Sequence, residues 1–168
     1  MKKLLLALFV LCCVAALFAY PPPPRPPRPP VPPPPPPPMA PKTGITTPHG
    51  WFDNFEFAKH ESRRLNRPML VLLTGSDWCP HCIRLKQYVL DSRDFKHYAR
   101  ERLILVYLDF PRHAKLPGML RHQNKAISDR FGVRGFPTTI IISPRGHERG
   151  RVIGCPPDYL RKVMHFAR

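Results

Sequence analysis

Leu70-Val71-Leu72-Leu73-Thr74-Gly75-Ser76-Asp77-Trp78-Cys79-Pro80-His81-Cys82 is the stretch whose reading decides the fold. Met69 to Thr74 is a short apolar run between the breakers Asn66-Arg67-Pro68 and Gly75, which predicts a buried strand. Thr74 to Trp78 turns the chain. Pro80 then falls at an early helical position, where its missing N–H is no loss. Cys79 is therefore expected at a helix start, facing unpaired backbone N–H groups and the positive end of the helix dipole. Both favour the thiolate, which is the nucleophilic form. Cys82, one turn further on, is placed to resolve a mixed disulfide formed at Cys79. His81 lies between them. As a donor, or when protonated, it further favours the Cys79 thiolate, and a better-stabilised thiolate makes the pair a stronger oxidant.

A lone CxxC is also half of a zinc site. Structural zinc usually takes four ligands, and no second CxxC or paired-His motif stands at suitable spacing. Copper delivery through Cys79, Cys82 and His81 is a further metal-handling alternative. The expected state is no metal and no cofactor beyond a redox-active Cys79–Cys82 disulfide. The remaining cysteines are Cys12, Cys13 and Cys155. Five cysteines so unevenly placed do not make a disulfide-stapled miniprotein.

Outward from this stretch, Trp51, Phe52, Phe55, Ala58 and Leu65 recur at helical spacing and predict a helix over 51–66. Pro80 to Leu90 and Asp94 to Arg102 read as helical. Leu103 to Leu108 is a second buried strand, 110–118 a loop and 119–131 a helix. Thr138 to Ser143 is a β-branched strand. Pro144-Arg145-Gly146 turns it into a hairpin partner at about 147–153, and Asp158 to Phe166 closes with a helix. Helices alternating with apolar strands predict an α/β domain. Its sheet should be largely parallel, with antiparallel strands added by the final hairpin and helices on both faces.

Ahead of this domain the composition changes twice. Met1-Lys2-Lys3 precedes an unbroken apolar run of 16 residues, Leu4 to Ala19, which ends among small residues. Residues 1–20 therefore read as a cleaved export signal, with an uncleaved anchor as the alternative. Of the 21 residues 21–41, 16 are proline. Such a stretch joins neither helix nor sheet and favours a polyproline helix reaching roughly 65 Å. The expected organisation is a signal or anchor over 1–20, a proline-rich linker over 21–48 and one folded domain over 49–168.

The chain carries 27 Lys and Arg against 11 Asp and Glu, a formal charge of +16. The basic residues are scattered, and no aromatic-interleaved nucleic-acid motif accompanies them, so nucleic acid is not an expected partner. A basic surface aids solubility and suits acidic protein substrates.

Two motifs together resemble the thioredoxin superfamily. One is the stretch quoted above. The other is Phe131-Gly132-Val133-Arg134-Gly135-Phe136-Pro137-Thr138-Thr139 with the following Ile140-Ile141-Ile142 strand. The resemblance covers about 50–168. It implies a thioredoxin fold, with a central mixed sheet flanked by helices on both faces. It also implies that Pro137 is a cis-proline facing Cys79 and Cys82, leaving a backbone edge free to pair with substrate. Cys79, Pro80, His81, Cys82 and Pro137 are then the candidate catalytic residues, and Trp78, Phe136 and Arg134 the candidate substrate contacts.

The Cys-Pro-His-Cys tetrad resembles the disulfide-forming DsbA type, although the chain between Leu108 and Phe131 is too short for that type's helical insertion. In plain thioredoxin a buried acid precedes the first cysteine by six residues, where this chain has Leu73. The function implied is a thiol–disulfide oxidoreductase of exported proteins, with a lean towards oxidation from His81 and Leu73. A reductase fed by a membrane electron donor is the alternative. A non-enzymatic chaperone or adaptor is the reading from another class. Expected partners are protein thiol or disulfide substrates and a redox partner protein, with a membrane tether through residues 4–19 if the signal is retained. No dimerisation segment is evident, so a monomer is expected, in the periplasm, the cell envelope or secreted. Cys155 is expected near the redox pair, as an inert cysteine or a regulatory thiol.

Overall fold

The computed structural model describes residues 48–168. The signal or anchor and the proline-rich linker up to residue 47 lie outside the described residues. Among the described residues no helix is long and apolar enough to cross a membrane.

Helix α1 spans Phe55–Leu65. The Asn54 side chain accepts from the Phe57 amide at 2.9 Å and caps it. Asn66, at φ 51°, ends it in the left-handed region. The helix thus begins four residues later than the expected 51. Phe52 is extended instead. Its amide donates to the Leu105 carbonyl and its carbonyl accepts from the Tyr107 amide, both at 2.8 Å. Two apolar residues at helical spacing do not distinguish a first turn from an extended segment docked beside a strand.

The first strand, β1 (Met69–Thr74), leads to α2 (Pro80–Leu85), which continues through a π-helical turn at Lys86–Leu90. Next come α3 (Arg93–Arg102), capped by Ser92, and β2 (Ile104–Asp109). Helix α4 (Gly118–Arg130), β3 (Thr138–Ile142), β4 (Glu148–Ile153) and α5 (Tyr159–Phe166) complete the domain.

The four strands lie in the order β2-β1-β3-β4. Only β1 and β2 are parallel, in a register that pairs Thr74 with Asp109. Strand β3 runs antiparallel to both β1 and β4. The sheet is therefore mixed, as the thioredoxin resemblance implies, and less parallel than the alternation of helices and strands alone suggests. Alternation of helix and strand predicts parallel strands only when each helix carries the chain back to the opposite end of the sheet. Here β2 ends at Asp109, beside Thr74, and β3 starts at Thr138, beside Leu73, so the connection through α4 begins and ends at the same end of the strands.

All six residues of β1 are buried, as a strand covered on both faces requires. Alternation splits them. Leu70 and Leu72 pack with Leu85, Leu90, Phe95, Tyr107, Tyr159 and Val163 in one layer. Met69, Val71 and Leu73 pack with Phe55, Ala58, Ile127 and Ile140 in the other. Each such side chain contributes about 1.5–3 kcal/mol on burial. The first layer holds α2 against the sheet and so fixes Cys82. Leu73 belongs to the second and is turned away from α2.

Candidate active site

Cys79 is the N-cap of α2, in extended conformation at φ −93° and ψ 108°. Its sulfur accepts from the Cys82 amide at 3.3 Å, taking up one of the N–H groups that a helix start leaves unpaired. Pro80 follows at the first helical position. Cys82 points inward, and its sulfur accepts from the Gly75 amide at 3.4 Å. Both residues are buried, Cys79 at 4% and Cys82 at 3% exposure. Burial, and then the hydrogen bond with Cys79, push the Cys82 thiol up to about 11. Cys82 is thus a proton-bearing thiol in the resting dithiol. Pro80 and His81 are exposed on the outer side of the turn.

Pro137 follows a cis peptide bond from Phe136. The Cys79 thiol lies 3.6 Å from the Phe136 carbonyl, which brings the second motif against the first. The Phe136 ring meets Trp78 edge-on at 6.0 Å between centroids and Phe110 at 4.8 Å. These three rings form an apolar rim beside Cys79. Arg134 is exposed in the turn that leads to Phe136. Cys155 is half-buried and packs on the first core layer.

The rim is held by residues outside the two motifs. The Trp78 indole N–H donates to the Phe110 carbonyl at 2.7 Å. The Arg112 guanidinium sits 3.8 Å from the Trp78 ring centroid, a cation–π contact. The Asp77 carboxylate accepts from the amides of Arg112 (3.0 Å), His113 (2.8 Å) and Ala114 (3.0 Å). Those hydrogen bonds, that of the Arg112 amide foremost, hold the Asp77 carboxyl down at about 2. From the loop before Cys79, Asp77 thus clamps the 110–116 loop. Its sequence signal was faint: a carboxylate two residues before the first cysteine and a Pro-rich loop 30-odd residues later have no local link.

Gly75 is required by the same arrangement. A Cβ there would stand 2.5 Å from the Trp78 ring. Gly75→Ala is therefore expected to displace the indole, break its bond to Phe110 and cost about 1–3 kcal/mol. Denaturant unfolding followed by tryptophan fluorescence reads both effects. An unchanged emission maximum and midpoint would show that the ring does not pack on Gly75.

A cysteine at a helix start, a second one turn inside and a cis-proline strand opposite define a dithiol domain of the thioredoxin fold. The Thioredoxin-like domain family matches residues 56–168, and the chain belongs to it. Among curated relatives, "Disulfide bond reductase DsbH" of Chlamydia pneumoniae is 32% identical over 101 residues, covering 60% of this chain and 61% of that protein. "Thioredoxin-related protein DsbJ" of the same organism is 26% identical over 102 residues, 61% of this chain and 29% of that one. The chain thus spans less than two thirds of either relative's length. A solved structure of a DsbH oxidoreductase superposes with TM-score 0.65 at 30% identity, over 73% of this chain and 90% of that one. A thioredoxin from Thermus thermophilus, at TM-score 0.56 and 20% identity over 68% and 84% of the two chains, shares the fold.

Proposed function

We propose that this chain is a thiol–disulfide oxidoreductase that acts on exported proteins through Cys79 and Cys82. The observation that carries this is the placement of the Cys79 sulfur at the α2 start, against the Phe136–Pro137 turn and the apolar rim, with the Cys82 sulfur buried behind it. Cys79 attacks a substrate disulfide, the mixed disulfide rests on the rim, and Cys82 displaces the substrate. Among the described residues no group of three or more metal-ligating side chains is gathered.

For the direction of exchange, reduction of substrate disulfides is the reading we favour. The lean towards oxidation rested on His81 and on Leu73. Leu73 faces the layer opposite α2, so its apolar character says nothing about the proton supply of Cys82. The DsbH relative is named a disulfide bond reductase. His81 remains the support for oxidation. Export follows from residues 1–20, with a donor in the membrane or envelope as the electron source.

Equilibration of the Cys79/Cys82 pair with glutathione decides between the two. A potential near about −270 mV fits a reductant, and one near about −120 mV fits an oxidant. Failure of the pair to bridge would remove the enzymatic reading. His81→Leu is expected to make the pair more reducing, and an unchanged potential would show that His81 does not tune it.

A further inference from the structure

The loop over 110–116, between β2 and α4, turns its acids inward and its cations outward. It is fastened through backbone groups. The Asp77 carboxylate accepts from the amides of Arg112 at 3.0 Å, His113 at 2.8 Å and Ala114 at 3.0 Å. At the foot of the loop Asp109 is buried. Its carboxylate accepts from the Ser76 amide at 3.0 Å, the Ser76 hydroxyl at 2.5 Å and the Phe110 amide at 2.9 Å. Both carboxylates are thus spent on N–H and O–H donors of the fold.

The cations of this region are not spent in that way. Arg112, Lys115 and Arg121 line one groove, walled also by Pro111 and Asn124, and all three are exposed. Among the described residues none of the three stands within ion-pair distance of a carboxylate, whereas Lys59, Arg64, Lys86, Lys125 and Arg151 each do. Arg121 lies near the start of α4, whose first turn holds no acidic residue to offset it. Single unpaired cations are ordinary on a chain of charge +16. Three converging on one concavity beside the reacting thiol are a feature of the site.

The groove adjoins the apolar rim through one contact. The Arg112 guanidinium stands 3.8 Å from the Trp78 ring centroid, the Trp78 ring meets Phe136 at 6.0 Å, and the Phe136 carbonyl lies 3.6 Å from the Cys79 sulfur. A guanidinium stacked on a ring keeps its N–H edge for a carboxylate, which it can take with two parallel hydrogen bonds. An extended polypeptide, at about 3.3 Å per residue, crosses from the Phe136 edge to Arg112 in about three residues.

We propose that Arg112, Lys115 and Arg121 form a substrate subsite that receives acidic side chains flanking the reacting cysteine of a polypeptide substrate. This rests on the exchange function proposed above and names the substrate class of that same site. The cations lie to the side of the reacting sulfurs, so the subsite acts on encounter and binding and leaves the exchange step itself alone. Arg112 sets its near end, against the rim, and Lys115 and Arg121 extend it away from Cys79. The Asp77 clamp fixes the loop through its amides, so the cations are already in place when an anion arrives.

Reaction of the reduced protein with peptide disulfides of one core sequence, flanked by two Glu, two Gln or two Lys, reads the subsite. At low salt the Glu-flanked peptide is expected to react on the order of tenfold more efficiently than the Lys-flanked one, through its half-saturating concentration rather than its limiting rate. The ratio should shrink towards one at about 1 M salt, where the Debye length is about 3 Å. Arg121→Glu and Lys115→Glu should each lower the ratio several-fold, and the double variant should invert it. Both side chains are exposed and unpaired, so neither change threatens the fold. Arg145→Glu makes the same charge change in the β3–β4 turn, at the other end of the strands from Cys79, and should leave the ratio in place. Equal reaction of the three peptides would overturn the subsite while leaving the exchange reading intact. A ratio untouched by Arg121→Glu and Lys115→Glu would do the same, as would an equal fall in Arg145→Glu, which marks attraction by net charge alone. No reaction with any of the peptides would overturn the exchange reading, and the subsite with it.

Discussion

Cys79→Ser is expected to lower disulfide exchange on the order of 10⁴-fold or more, the scale on which removal of a covalent nucleophile acts. A serine hydroxyl stays protonated at neutral pH, and the N–H of Cys82 at the helix start then has no thiolate to stabilise. Cys82 does not substitute for it. Both cysteines are buried, but Cys79 borders the exposed Pro80 and His81 and the aromatic rim, whereas the Cys82 sulfur accepts from the Gly75 amide beneath.

The partner variant gives the opposite signature. Cys82→Ser keeps the attacking thiol and loses the resolving one, so a peptide disulfide should convert it to a stable mixed disulfide at Cys79. Intact-mass measurement reads the adduct directly. An adduct on Cys79→Ser, with none on Cys82→Ser, would reverse the two roles. The stability of both variants should stay near that of the parent dithiol, since serine is close to cysteine in size and the backbone bonds at the helix start remain.

The placement of the two cysteines, one at the helix start and one a turn inside, was legible before the structure because its cause is local. Pro80 marks the helix start, three residues set one turn, and the breakers around Met69–Thr74 set the strand that feeds it. The second motif was legible for the same reason: the Phe136-Pro137 bond and the β-branched strand after it are adjacent in sequence. What was not legible depends on which elements meet. The parallel character of the sheet was overestimated from alternation alone because no residue in α4 records that its connection returns to the end of the strands it left. Trp51 and Phe52 were assigned to α1 because what they meet, the β2 backbone for Phe52 and the Phe95 and Tyr107 rings for Trp51, lies some 40–55 residues on. The Asp77 clamp and the Ser76–Asp109 hydrogen bonds join residues about 33 to 37 positions apart, through a register that only the folded sheet fixes. One partial signal was there. Tyr107 and Asp109 alternate on an otherwise apolar strand, and a strand that should be wholly buried seldom ends in two such groups on one face without a use for them.

The largest loss of stability is expected from Phe95→Ala. Phe95 is the first buried side chain of α3, 1% exposed, and its helix is anchored just before it by the Ser92 hydroxyl, which accepts the Phe95 amide at 3.2 Å. Its ring stacks on Trp51 at 6.3 Å between centroids, and Trp51 in turn meets Tyr107 edge-on at 5.8 Å. Removing the ring opens a cavity in the layer that carries α2, and the close-packed neighbours Leu90, Ala99 and Tyr107 can fill it only in part. Loss of a buried aromatic of this kind costs about 3–5 kcal/mol, a large share of the 5–15 kcal/mol that holds a domain of this size together. The thermal midpoint should fall by about 10–20 °C. Phe95→Leu keeps most of the volume and should lose less than half as much. Because Phe95 supports Tyr107 through Trp51 and packs in the core layer rather than in the aromatic rim beside Cys79, attack by Cys79 measured well below the midpoint should be nearly unchanged. A midpoint shift of under about 3 °C for Phe95→Ala would mean that α3 is not packed on this layer as described, and the seat of Tyr107 would have to be sought elsewhere.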